Sequence, residues 1–122
     1  MVKARHYILT QTAEQDFYQA KRWSISRWGV ALTKEYFNDL HHAAEYVAAH
    51  HATLPEREDI TGESGLGIHP VREHYIIYVP AHLSDGDKKI IIVALIRQTR
   101  DVPNILKANR FIIERELRDI LP

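Results

Sequence analysis

The chain contains no cysteine, so disulfide frameworks, thiolate catalysis and Cys-based metal sites are all excluded. No apolar run approaches the roughly 20 residues that a membrane-spanning helix needs. Behind Met1 comes Val2-Lys3-Ala4-Arg5-His6 with no hydrophobic stretch, so no signal-peptide pattern is expected. There is also no excess of either charge: 16 basic residues balance 16 acidic ones, and the pI is about 7.1. A protein that holds nucleic acid through its phosphates normally carries a basic surplus, so general nucleic-acid affinity is not expected. These absences fit a soluble cytoplasmic protein.

What is present is an ordinary globular composition, 45% hydrophobic and 26% charged, in 122 residues. That length fits one domain, 1–122, with one core. The most informative stretch is Ile90 to Ile96, seven consecutive apolar residues, most of them β-branched. It is short for a helix and has no polar side, so it reads as a central strand covered on both faces. Tyr75-Ile76-Ile77-Tyr78-Val79 is its expected antiparallel partner, joined through a connection that contains Asp85-Gly86, a turn signal. Leu66 to Arg72 reads as a further short strand, which Pro70 confines to an edge or a bulge.

Upstream, residues 3–9 read as a short strand. Thr12 followed by Gln15 has the form of a capping box opening a helix with apolar positions at Ala13, Phe17 and Ala20. Gly29 ends that helix, and a second begins almost at once, with Tyr36, Phe37, Leu40, Ala44 and Val47 on one side. The short break makes an antiparallel helix hairpin. Pro55 to Gly67 is charged and glycine-bearing, an expected exposed loop. At the other end, Asp101 and Pro103 suit the start of a helix over 103–121, whose apolar side is Ile105, Leu106, Ile112, Ile113, Leu117 and Ile120. That side is either core on the second face of the sheet or one wall of a partner groove. The expected class is therefore α+β: an N-terminal strand and helix hairpin on a small, mainly antiparallel sheet, followed by a C-terminal helix.

Taken in order, several of these pieces resemble the RelE/ParE superfamily of toxins from type II toxin–antitoxin systems. They are Ala13-x-x-Asp16-Phe17, Arg27-Trp28-Gly29 with Ala31 and Tyr36, and Gly65-Leu66. Pro70-Val71-x-x-His74-Tyr75-Ile76-Ile77-Tyr78 follows, then Ile92 to Ile96 leading into Arg100-Asp101-Val102-Pro103. The resemblance covers about residues 3–106 and is closest to the ParE branch. It implies a toxin that arrests growth by inhibiting DNA gyrase through protein–protein contact, serves plasmid or genome stabilisation, and is neutralised in a complex with a cognate antitoxin. The RelE branch implies instead a metal-independent, ribosome-dependent mRNA endonuclease. This chain has Gly65-Leu66-Gly67 where many relatives carry Gly-Leu-Arg, and Ile96-Arg97 where many carry Leu-His.

The residues that would meet a target or antitoxin are Arg72, Arg97 and Arg100, with Trp23 as an apolar anchor; Trp28 is expected to cap the core. A guanidinium tolerates partial desolvation better than an ammonium and suits such contacts. If the chain were a nuclease, Arg72, His74, Arg97 and Arg100 would carry the chemistry, with Glu73 or His74 as base. No Tyr or His follows the last strand to act as acid, so the non-catalytic reading is preferred. The eight histidines include His41-His42 and His50-His51, but none make an i, i+4 pair. His42 and His50 would lie about 12 Å apart along a helix, too far for one ion. No metal and no cofactor are expected.

Overall fold

The structure, a computed structural model, describes residues 6–55, 57–63, 65–82 and 88–121. The expected Asp85-Gly86 turn, the beginning of the first strand before His6, and Glu56 lie outside them. Among the described residues no helix is long and apolar enough to cross a membrane.

A strand β1 (Tyr7–Leu9) leads into a long helix α1 (Gln11–His50), then a 3-10 turn (His51–Thr53) and a single turn α2 (Glu58–Thr61). The sheet continues with β2 (Gly67–Val71), β3 (His74–His82) and β4 (Lys88–Arg97), and helices α3 (Val102–Ala108) and α4 (Arg110–Ile120) close the chain. The sheet order is β1-β4-β3-β2, with β1 parallel to β4 and the other pairs antiparallel. The α+β architecture is the expected one, and β4 is central over the part that β1 and β3 flank. Ile90, Ile91, Ile92 and Val93 are wholly buried.

Both prolines in the sheet sit where a missing N–H is harmless. Pro70 is on the edge strand β2, as expected. Pro80 belongs to β3 beyond Tyr78, the last residue that β2 pairs, so its nitrogen faces an open edge.

The two faces of the sheet bury different helices. Tyr7, Val71, Ile76, Tyr78, Ile90, Ile92 and Leu95 pack beneath α1, against Leu40, Ala44 and Val47. Ile68, Ile77, Ile91, Val93, Ala94 and Ile96 pack against Val102, Leu106 and Ile113. The helices therefore cover both faces, and the C-terminal apolar side is core except at Ile112, which stays exposed. The helix expected over 103–121 is interrupted at Asn109, whose side chain donates to the Ile105 carbonyl at 2.9 Å.

Two boundaries differ from the sequence expectation for local reasons, and a third is as expected. Thr10, not Thr12, caps α1: its backbone is extended and its Oγ1 accepts from Ala13 N–H at 3.1 Å. The loop expected from Pro55 to Gly67 contains the turn α2, ended by Gly62 in a left-handed conformation. Gly29 does break α1 into two arms, through φ 83° and ψ 174°, a region only glycine occupies without strain. The arms meet through the Phe17 and Phe37 rings, edge to face at 6.2 Å.

Candidate functional site

The site grows out of an irregularity in β4. Ile77 pairs with Ala94, but Tyr78 pairs with Ile92, so Val93 has no partner across the ladder. This bulge makes Val93 and Ala94 point to the same face. Before it, Ile90 and Ile92 face α1; after it, Leu95 does, and with it Arg97. A regular strand would have turned Leu95 and Arg97 towards α3 and α4. The bulge thus delivers the Arg97 side chain to the first arm of α1, where Trp23 waits.

Trp23 lies between two cations. The Arg97 Cζ is 4.4 Å from its ring centroid and the Arg27 Cζ is 4.8 Å away. Its ring also meets Trp28 edge-on at 5.2 Å and His74 at 6.3 Å. Trp28 in turn packs against Tyr36 in the core, as expected. Stacking on an aromatic face stabilises a guanidinium by about 0.5–2 kcal/mol, the upper end where water is excluded. It does not satisfy the hydrogen-bonding groups: Arg97 Nε is buried with no acceptor. Neither Arg97 nor Arg100 has an acidic partner among the described residues. Asp101 leaves Arg100 unpaired because it caps α3, accepting from Asn104 N–H at 3.3 Å and Nδ2 at 2.6 Å.

Arg72 is differently placed. It occupies the tight turn between β2 and β3 with φ 51°, a left-handed conformation unusual for a residue with a side chain. Its guanidinium is ion-paired with Asp39 on the second arm of α1 and lies 5.7 Å over the Tyr36 ring. Gln98 ties the turn down, its Nε2 donating to the carbonyls of Arg72 at 2.8 Å and His74 at 3.0 Å. The structure therefore brings Trp23, His74, Arg97 and Arg100 to one place, with Arg72 beside it and its charge already met.

His74 pairs across the sheet with Arg97 and is only 3% exposed. Its Nδ1 is hydrogen-bonded to the Tyr36 hydroxyl. Burial, reinforced by the Arg97 charge, pushes its pKa down to about 4, so the ring is neutral at physiological pH. Burial also raises the Tyr36 hydroxyl above the usual phenol value. Glu73, the other candidate base, is exposed in the turn. The chemistry on offer is cationic and aromatic, from Arg97, Arg100 and Trp23, with a neutral His–Tyr pair behind it. Among the described residues no three side chains are grouped to hold a metal ion.

Two further residues were not among the candidate site residues read from the sequence, although Asp16 belongs to one of the motifs given above. A groove of about 610 Å³ runs from Arg97 and Arg100 between the first arm of α1 and helices α3 and α4, floored by Ala94, Leu95 and Ile96. Asp16 and Glu116 line it. Asp16 accepts from Leu95 N–H at 3.1 Å, occupying the edge of β4 where β1 has already ended. Glu116, 8% exposed, accepts from Thr12 N–H at 2.9 Å in the first turn of α1. Their signal was there to read: each acidic residue lies three positions after a core residue, Ala13 and Ile113, on the margin of an apolar helix face.

The fold is thus an antiparallel ribbon backed by a broken helix, with an arginine-bearing exit before a Pro-started helix. Residues 7–102 match the family described as ParE toxin of type II toxin-antitoxin system, parDE. The chain belongs to that family. Comparison with curated proteins gives no match. Membership implies an antitoxin partner.

Proposed function

We propose that this toxin inhibits DNA gyrase by protein–protein contact and is held inactive by its cognate antitoxin. Arg97 and Arg100, with Trp23, form the primary contact; Arg72 is secondary, since Asp39 already neutralises it. The observation that carries the reading is the pairing of two guanidiniums lacking internal counter-charges with a half-buried tryptophan that holds one of them in place. Aromatic and arginine side chains in this combination dominate protein interfaces. His74 supports contact over cleavage, because a ring this buried cannot reach a substrate hydroxyl without displacing Trp23 or Tyr36.

The test is a gyrase supercoiling and DNA-cleavage assay with purified toxin. Supercoiling is expected to fall and cleaved DNA to be trapped, with both effects lost in an R97A/R100A double variant that retains the native circular dichroism spectrum. Unimpaired gyrase at excess toxin, together with codon-dependent cuts in primer extension on translated mRNA, would reassign the protein to the ribosome-dependent endonuclease reading.

A further inference from the structure

The proposed contact leaves Asp16 and Glu116 unexplained. The two carboxylates come from different helices, α1 and α4, and line one groove. Each takes a backbone N–H from a further segment, Asp16 from Leu95 on the β4 edge and Glu116 from Thr12 in the first turn of α1. Neither has a cationic partner among the described residues. Between them they add polar ties among three elements: Asp16 joins the first arm of α1 to the end of β4, and Glu116 joins α4 to the start of α1.

We propose that Asp16 and Glu116 form a proton-operated catch: a proton on Asp16 relieves its repulsion with Glu116 and fastens α4 onto the N-terminus of α1, and loss of that proton loosens α4 and opens the groove leading to Arg97 and Arg100. The charged and titratable groups facing the pair in the groove are His74 from β3, Arg97 from β4, Arg100 from the segment after it and Arg115 from α4; α3 contributes only apolar side chains there. His74 stays neutral above about pH 4. That leaves Asp16 as the group whose charge changes. Burial is the main cause that raises its pKa, to about 6; the Leu95 N–H pulls it down and the Glu116 charge pushes it up again. The catch is therefore closed in mildly acidic conditions and slack at neutral pH.

The packing of α4 gives this device its leverage. Glu116 sits between Ile113 and Leu117, which pack into the core, while Phe111 is 83% exposed and Ile112 partly so. Thus α4 is held by few apolar side chains, and one buried carboxylate makes up a visible part of its attachment. A charged hydrogen bond of that kind is stronger than a neutral one, and a nearby like charge weakens it. The catch regulates access to the arginine pair but does not depend on which macromolecule those arginines meet.

Hydrogen exchange of the full chain, corrected for intrinsic rates, separates this device from a general change in stability. Amides of α4 should become several-fold better protected between about pH 7.5 and pH 5.5, while those of Ile91 to Val93 report the whole fold. In D16N the α4 protection should be high and independent of pH; in E116Q it should be low and independent of pH. Should D16N fold poorly, the carboxyl carbon of Asp16 can be titrated by NMR in the native chain, and its midpoint should fall in E116Q. An α4 profile that merely tracks Ile91 to Val93, one unchanged by D16N, or an Asp16 midpoint unmoved in E116Q would each overturn the catch.

Discussion

At the scale of single residues, two buried groups pull the pH dependence of stability in opposite directions. His74 drops from its ordinary 6.5 to about 4 in the folded state. Between those values the unfolded chain binds more protons, so the His74 contribution grows as pH rises and is complete above about 6.5. Asp16 rises from 3.8 to about 6. In that window the folded chain binds more protons, so its contribution is present at low pH and lost as pH rises through about 6. Each is on the order of 2–3 kcal/mol at full extent. The native chain should therefore show a nearly flat stability between about pH 4 and pH 6 by urea denaturation. H74Q should unmask a decline with rising pH, and D16N a climb; the same slope in both variants would refute the assignment. Gly67 offers a second residue-scale prediction. A Cβ there would fall inside the ring of Tyr78, its cross-strand neighbour, which is itself buried. No larger side chain, an arginine included, fits at this position unless Tyr78 moves. G67A is expected to cost about 1–3 kcal/mol in a thermal melt, and G67R at least as much.

At the scale of elements, the C-terminal pair of helices is the test of what counts as core. Without α4, Ile113 leaves the cluster that covers Ile77, Ile91, Val93, Ala94 and Ile96. A chain ending after Ile105 should accordingly be insoluble or molten, and I113A should lose about 2–4 kcal/mol; a soluble truncation with a native spectrum would show that the second face needs no cover. How much of this was visible beforehand follows from the range of the forces involved. The central strand was legible because β-branched residues buried on both faces leave an unbroken apolar run. The same uniformity hid the bulge at Val93: where every residue is apolar, a change of parity leaves no trace in the pattern. The cap at Thr10 was missed by two positions because Thr12 matched the local rule, whereas its N–H goes to Glu116, 104 residues away. The arginines were legible from the charged exit of the last strand. That Arg97 would lie on Trp23 was not, because it depends on the bulge and on the angle at Gly29 together.

At the scale of the whole molecule, the absence of net charge separates two kinds of target. Gripping duplex DNA requires several phosphate contacts, and the affinity then falls steeply with salt, about tenfold between 50 and 200 mM even for two contacts. With 16 basic and 16 acidic residues, there is no net charge to draw a polyanion in, and Arg97 and Arg100, which have no acidic partner among the described residues, occupy one small area. Arg97 is moreover braced by Trp23, which suits a fixed protein partner better than a mobile phosphate chain. The toxin alone is therefore expected to leave duplex DNA unshifted in a gel at micromolar protein and about 0.15 M salt, the range in which non-specific binders of this size are weak. Cleaved DNA should accumulate only when gyrase is added, and R97A/R100A should abolish that accumulation without changing the null result on DNA alone. A toxin that shifts DNA by itself, with a salt slope that R97A/R100A flattens, would mean that the arginine pair reads nucleic acid directly, and the target would have to be sought there.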